Sequence, residues 1–378
     1  MERINCPVRN DWKKRVEELG FSFHSIDGTY WDESAFYQFS MREVEELEAA
    51  TAELFARCLD AVQYVIDRKL YDLFRIDPKF APLIEASWNN DAPSIYGRFD
   101  LVYDGKHAPK LLEFNADTPT SLFEAGVVQW YWLEEIKSGS DQFNSIHEKL
   151  VGYWKTLQPY LNEGKLHFCC LKDNLEDLTT VEYLRDCAIQ AGIETDFVYL
   201  EDIGWNQYSL TFVDLQEENI TNLFKLYPWE WLIRESFADK LLIAPERTCW
   251  IEPAWKMILS NKAILPVLWQ LFPNHPNLLE AYFENSKIPY DYVRKPVLSR
   301  EGGNVTIVRN GKTIAQTEGS YGQEGYIYQQ YCELPNFKYN YPVIGSWVIG
   351  CEPAGIGIRE TNTLITDNLS RFIPHIIN

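Results

Sequence analysis

The sequence predicts a mixed α/β protein, and three stretches carry that expectation. Residues 42–69 place Val44, Leu47, Leu54, Phe55, Cys58, Val62 and Val65 at helical spacing, which marks a long amphipathic helix facing a core. Residues 165–200 read strand, helix, strand, a βαβ unit that implies a parallel sheet. From about residue 250 onward, runs such as GYIYQQYCEL and YPVIGSWVIGCEPAGIGIRE are strand-rich.

Taken in order, the long helix is followed by RFDLVYDGKHAPKLLEFNADTPT, two apolar runs around an Asp104-Gly105 turn signal that predicts a tight hairpin. TSLFEAGVVQWYWLEEI then reads as a helix, with Thr120 or Ser121 able to cap its start. KLHFCCL is a short buried strand. EDLTTVEYLRDCAIQAG is a helix with Leu178, Val181, Leu184 and Ala188 on one stripe, ended by Gly192, and ETDFVYL is a second strand. EPAWKMILSNKAILPVLWQLF is an apolar helical run in which Pro266 predicts a kink or boundary. YVRKPVLSREGGNVTIV is strand, glycine loop, strand. Composition shifts divide the chain into three parts, 1–164, 165–250 and 251–378.

The 378 residues, with 13 Trp, 22 Tyr and 20 Phe, can bury a large core. The formal net charge of −20 argues against nucleic acid or an anionic membrane as a general partner and suits a cationic ligand. The N-terminal residues lack an apolar h-region, and no run approaches membrane-spanning length, so a cytoplasmic protein is expected. The eight Cys have no CxxC pairing and the six His occur singly, which gives no sign of a disulfide framework, a zinc site or a triad.

The hairpin stretch carries the chemistry. Side chains two apart on a strand share a face. Arg98 and Asp100 therefore share one face, as do Glu113 and Asn115, with Phe99, Leu101, Leu112 and Phe114 opposite. If the two polar faces coincide, they collect hard oxygen donors of the kind Mg²⁺ takes. Taken alone, an exposed hairpin with an ordinary salt bridge explains the pattern equally. Three further features bear on the choice. Lys295 precedes Arg300 and a loop with Gly302 and Gly303, where backbone N–H groups can approach phosphate. Lys262 opens an apolar segment. Arg359 ends an alternating Gly/Ile strand. Each has a simpler reading singly, as a surface lysine, a salt bridge or a plain Gly-Gly turn. Together they are the parts of an ATP-dependent phosphoryl-transfer site. No Ser, Cys or His nucleophile is needed if a substrate carboxylate attacks the γ-phosphate.

At these residues the sequence resembles the synthetase domain of the glutathionylspermidine synthase family, in its stand-alone acid–amine ligase branch. GRFDLVYDG, LLEFNADTPTS, EPAWKMILSNKAILPVLW, RKPVLSREGGN, YQQ and PAGIGIRE carry the resemblance, which spans the chain. It implies an ATP-grasp fold of the permuted, glutathione-synthetase-like branch, since the metal acids precede the lysines. The three parts then become an N-terminal core piece with the metal hairpin, a βαβ substrate sub-domain, and a mobile ATP-binding lid with the rest of the core. The resemblance further implies that Asp100, Glu113 and Asn115 ligate two Mg²⁺ ions, with Glu113 bridging. Arg98 would stabilise the transferring phosphoryl group, and Arg359 would be a second catalytic arginine near the acyl phosphate. ATP would meet Arg98, Phe99, Asp100, Lys262, Lys295, Arg300, the Glu301-Gly302-Gly303 loop, Gln329, Gln330, Tyr331, Leu364 and Ile365. Substrate would meet Thr118, Thr120, Glu176 and Asp177; the two threonines stand where the family has serines. The expected partners are a peptide-like carboxylate and an amine or polyamine, with no nucleic acid and no membrane. A catalytically lapsed binding protein of the same fold is the alternative.

Overall fold

The computed structural model describes residues 1–25, 28–367 and 369–378. The amphipathic helix runs Met41–Arg68, and Ser40 and Glu43 close its N-terminus as a capping box. All seven residues of its predicted stripe are buried.

This helix packs on a five-stranded antiparallel sheet whose order is Arg371–Ile373, Glu352–Thr361, Tyr341–Ile349, Tyr96–Val102 and Lys110–Asn115. The last two strands are the expected ribbon, but the connection is not a two-residue turn. Residues 103–109 form a longer loop, because the Asp104 carboxylate accepts the backbone N–H groups of Lys106 and His107 and so makes its own turn.

The βαβ unit is present. Leu166–Cys169, helix Leu175–Gln190 and Thr195–Phe197 belong to a four-stranded parallel sheet completed by Asn222–Lys225 and Cys249–Ile251. A third layer is a second five-stranded antiparallel sheet: Ala281–Tyr282, Tyr326–Gln330, Tyr292–Pro296, Thr306–Arg309 and Lys312–Gln316.

Two helical expectations need correction. The 120–136 segment contains a π-helical turn, Glu124–Val128, ahead of the α-helix Gln129–Ile136. Neither Thr120 nor Ser121 caps it; the Ser121 hydroxyl is used by Tyr30 and Arg359 instead. The apolar run from 252 splits into Lys256–Leu259 and Ile264–Leu271. The break falls at Asn261–Ala263 rather than at Pro266. Pro266 sits in the first turn of the second helix, where a backbone N–H has no helical partner to lose. The Asn261 side chain holds the break by bonding Phe74 O and Ala263 N.

The C-terminal strand His375–Ile377 pairs with Ala35–Phe39. His375 is fully buried; its Nε2 accepts the Phe143 N–H at 3.1 Å, and Nδ1 lies 2.9 Å from Gln129 Oε1. Burial lowers its pKa to about 3. An unfolded histidine titrates near 6.5, so protonation favours the unfolded chain. The stabilisation is complete above pH ~6.5 and is lost as pH falls toward the folded value, by about 2 kcal/mol between pH 7 and 5. Denaturant unfolding at the two pH values should show a shallower loss for His375→Gln than for the parent.

Among the described residues, no helix is long and apolar enough to cross a membrane.

Candidate functional site

The ribbon register decides whether the polar faces coincide. Asp100 stands opposite Glu113 and Arg98 opposite Asn115, with the ladder shifting by one residue between Asp100 and Leu101. All four polar side chains therefore lie on one face. Phe99 and Phe114 point the other way and stack at 3.9 Å between ring centroids.

Arg98 is buried and bonds Asp100 through Nε and Nη2, at 2.7 and 3.1 Å, while Nη1 donates to Thr120 O at 2.6 Å. Asn115 directs its amide N–H₂ at Asp100 and Glu113, at 3.2 and 3.4 Å. Metal ligation by Asn115 requires that amide turned, so that its oxygen joins the carboxylates. The donor set fits a hard divalent cation: two carboxylates face each other across a ladder, with an amide beside them.

The helix break described above brings Lys262 to this face, 3.1 Å from Glu113 Oε2 and 2.9 Å from Ser299 O. Lys295, on the second antiparallel sheet, donates to Leu112 O and to Gln329 Oε1, each at 2.8 Å. Burial would raise the Glu113 pKa, but Lys262, Lys295 and Arg98 outweigh it and hold the carboxyl at about 2. Burial lowers Lys295 to about 8 despite Glu113.

These groups line one end of a cleft between the two antiparallel sheets. Asp100, Glu113, Lys262 and Lys295 form the polar end; Val293, Val305, Ile307, Val343, Leu364 and Ile365 form much of the apolar wall, with Gln330 and Tyr331 at its side. Gly302 has φ +66° and lies so near the 364–366 segment that a Cβ there would be 2.5 Å from Thr366 O. That close approach explains the glycine. A second cleft shares Glu113 and Lys262 and extends past Asn115 and Thr118 to Glu230 and Arg300.

Several expected contacts are placed elsewhere. The Phe99 ring is in the core, because alternation turns it from the cleft. Gln329 is buried and orients Lys295, with its amide donating to Leu111 O at 2.9 Å. Arg300 belongs to the second cleft, bonding Thr118 Oγ1 at 2.8 Å and Glu230 Oε1 at 3.0 Å. Glu301 and Gly303 share the turn that carries Gly302, and Gly303 packs against Tyr321. Thr120 is exposed and meets Arg98 chiefly through its backbone oxygen. Arg359 lines neither cleft. It bonds Ser121 Oγ, Ser370 O and Asp367 O and lies over the Tyr30 ring. Glu176 and Asp177 are half-buried at the start of their helix; burial raises both carboxyls, Asp177 to about 7. Arg359 and Arg98 act on Glu176, and Arg300 acts on Asp177.

Sequence reasoning missed three groups. Glu230 receives Arg300. Glu124 is buried in the π-helical turn, 2.5 Å from the Tyr30 hydroxyl, and burial together with Glu176 raises its carboxyl to about 7. Asp117 anchors the NADTPT loop: it accepts Lys225 Nζ at 2.7 Å and Trp229 N at 2.8 Å, and both ions are fully buried. Asp117 lies inside a motif already singled out, so a charge between Ala116 and Thr118 in a buried loop was the available signal.

The family model for the glutathionylspermidine synthase preATP-grasp matches residues 3–378. The chain belongs to this family. A Haemophilus influenzae relative named "Putative acid--amine ligase" is 44% identical, with 99% of each chain covered. A trypanothione synthetase of Crithidia fasciculata is 29% identical over 94% of this chain, and the bifunctional glutathionylspermidine synthetase/amidase of Escherichia coli is 27% identical over 97%. The matches cover 56% and 63% of those two longer relatives. Among solved structures, a glutathione synthetase-like effector of Globodera pallida aligns with a TM-score of 0.56 at 10% identity, covering 90% of this chain and 89% of its own. That likeness shows the fold of this family chain to be glutathione-synthetase-like.

Proposed function

We propose that the chain is an ATP- and Mg²⁺-dependent ligase that joins a carboxylate to an amine through an acyl phosphate, on a permuted ATP-grasp core. The observation that carries this reading is the pairing of Asp100 with Glu113, with Lys262 on the same carboxylate and Lys295 beside it, at the polar end of an otherwise apolar cleft. An apolar wall suits a purine, and the lysines suit its phosphates.

Asp100, Glu113 and Asn115 would hold two Mg²⁺ ions, which would supply positive charge against the γ-phosphate oxygens. Arg98 and Arg359 add positive charge on the side of the ribbon toward Ser121, and Arg300 holds Thr118 toward the acid substrate. The sheet carrying Gly302 acts as the lid that keeps water from the acyl phosphate. Glu176 and Asp177, in the 165–250 sub-domain, face the substrate's ammonium groups, whose charge offsets the burial that raises both carboxyls. The relatives' names point to a peptide such as glutathione as the acid and a polyamine as the amine.

A screen for ADP release over glutathione, short peptides and diverse amines, with mass spectrometry of the product, tests the reading. A condensation product formed with stoichiometric ADP is the expected result. ADP release that never exceeds the substrate-free rate, together with no product, would refute it. Arg98→Ala should lower kcat about a hundredfold or more with a smaller change in KM for ATP. An effect confined to KM would remove Arg98 from phosphoryl transfer.

A further inference from the structure

The parallel sheet holds a polar cluster that the ligase reading does not use. His167 lies on Leu166–Cys169 and is directly in register with Asp196 on Thr195–Phe197. Paired residues of parallel strands present their side chains to the same face. On that face the hairpin Gly204–Asn206 with Thr211–Val213 packs over the sheet, and Asp214 follows its second strand. One donor atom each from His167, Asp196 and Asp214 lies within 4.8 Å of the others.

The imidazole is the unusual member. His167 is 2% exposed, yet neither ring nitrogen makes a hydrogen bond. Leaving a buried polar group without a partner forfeits its hydration with nothing in return, so native proteins rarely keep one. The nearest carboxylate oxygen, Asp214 Oδ2, is 3.7 Å from His167 Nε2, beyond hydrogen-bond reach. The other Asp214 oxygen accepts the N–H groups of Gln216 and Glu218, both at 2.9 Å. Those bonds fix the carboxylate and leave Oδ2 directed at the ring. Asp196 is held similarly, with Oδ1 on Phe197 N at 2.8 Å and Oδ2 on Lys165 at 3.2 Å. Lys165 also reaches Glu218 at 3.4 Å, so it keeps one carboxylate partner if it leaves Asp196.

We propose that His167, Asp196 and Asp214 bind one divalent transition-metal ion of zinc's coordination preference. Imidazole nitrogen and carboxylate oxygen are both ligands such an ion takes, and three protein ligands leave the fourth position to water. Ligands at ~2.1 Å in a tetrahedral site lie about 3.4 Å apart. The His167–Asp214 separation is already near that, and Asp196, within 4.8 Å of both, would move in by up to about 1.4 Å. Two carboxylates and a neutral imidazole balance the charge of the ion. The chemistry differs from the all-oxygen set of Asp100, Glu113 and Asn115, so Mg²⁺ would not compete for the imidazole. The ion would clip the 204–214 hairpin to the parallel sheet, on the face opposite the helix Leu175–Gln190.

The test is titration of chelator-treated, full-length protein with Zn²⁺ alone and with Co²⁺ alone, in saturating Mg²⁺, by calorimetry and by visible absorption. One equivalent of tight binding is expected, with the intense visible bands of tetrahedral Co²⁺. His167→Gln and, separately, Asp196→Asn should each weaken binding at least about tenfold, whereas Glu113→Gln should leave it unchanged. Asp196 is half-buried, so its variant keeps the test valid if His167→Gln does not fold. Absence of a tight equivalent, or binding that persists in Asp196→Asn, overturns the assignment. The outcome is independent of ligase activity.

Discussion

Replacing Glu113 with Gln is expected to lower ATP-dependent turnover about a thousandfold while the fold persists. Glu113 is the point where the ribbon, the helix break and the second sheet meet. It faces Asp100 across the ladder, and its Oε2 is 3.1 Å from Lys262. The substitution keeps the shape and removes the charge. Lys262, Lys295 and Arg98 then share one carboxylate fewer, and a proposed metal ligand becomes a neutral amide. Because Lys262, Lys295 and Arg98 lose a carboxylate partner, the melting temperature should fall by several degrees, with the cooperative transition retained. The paired measurements are ADP release with the best acid–amine pair and a thermal melt. Turnover within tenfold of the parent would count decisively against the metal assignment, and a collapsed melt would move the residue to a structural role.

Lys225→Met is expected to cost about 3–5 kcal/mol of stability. Lys225 and Asp117 are both inaccessible to solvent, and the ammonium also donates to Tyr227 O and lies over the Trp229 ring. Methionine keeps most of the stem but leaves Asp117 as an unpaired buried charge. Desolvation then acts on the carboxylate with only the Trp229 N–H to offset it. The double variant Lys225→Met with Asp117→Asn should recover much of the loss, since Asn can still accept that N–H. Urea unfolding of the three variants measures both quantities. A single-variant cost below about 1 kcal/mol would show that the loop relaxes into solvent. Because Asp117 sits between Asn115 and Thr118, the folded single variant should also turn over more slowly at saturating ATP.

Periodicity was enough for the elements whose burial is one-sided. The 42–69 helix has a single apolar stripe, and that stripe is what packs. The βαβ unit was legible for the same reason, and so was the sharing of one strand face by Arg98 with Asp100 and by Glu113 with Asn115. Local signals failed where a side chain had a stronger partner elsewhere. Asp104 turned its carboxylate onto its own loop and lengthened the hairpin, Ser121 bonded Tyr30 and Arg359 instead of capping a helix, and Asn261 rather than Pro266 broke the apolar run.

By itself the sequence determined the residue types, their alternation and the family to which they belong. Tertiary structure alone decided that Asp100 meets Glu113 and that Lys262 and Lys295 arrive from two other elements. It also decided that Gln329 turns to a lysine and that Asp117 is tied to Lys225, 108 positions along the chain. Side-chain alternation is a property of a few consecutive bonds, readable from neighbours. Ladder register and long-range ion pairs are settled by which packing of whole sheets buries the most apolar surface with every buried charge matched.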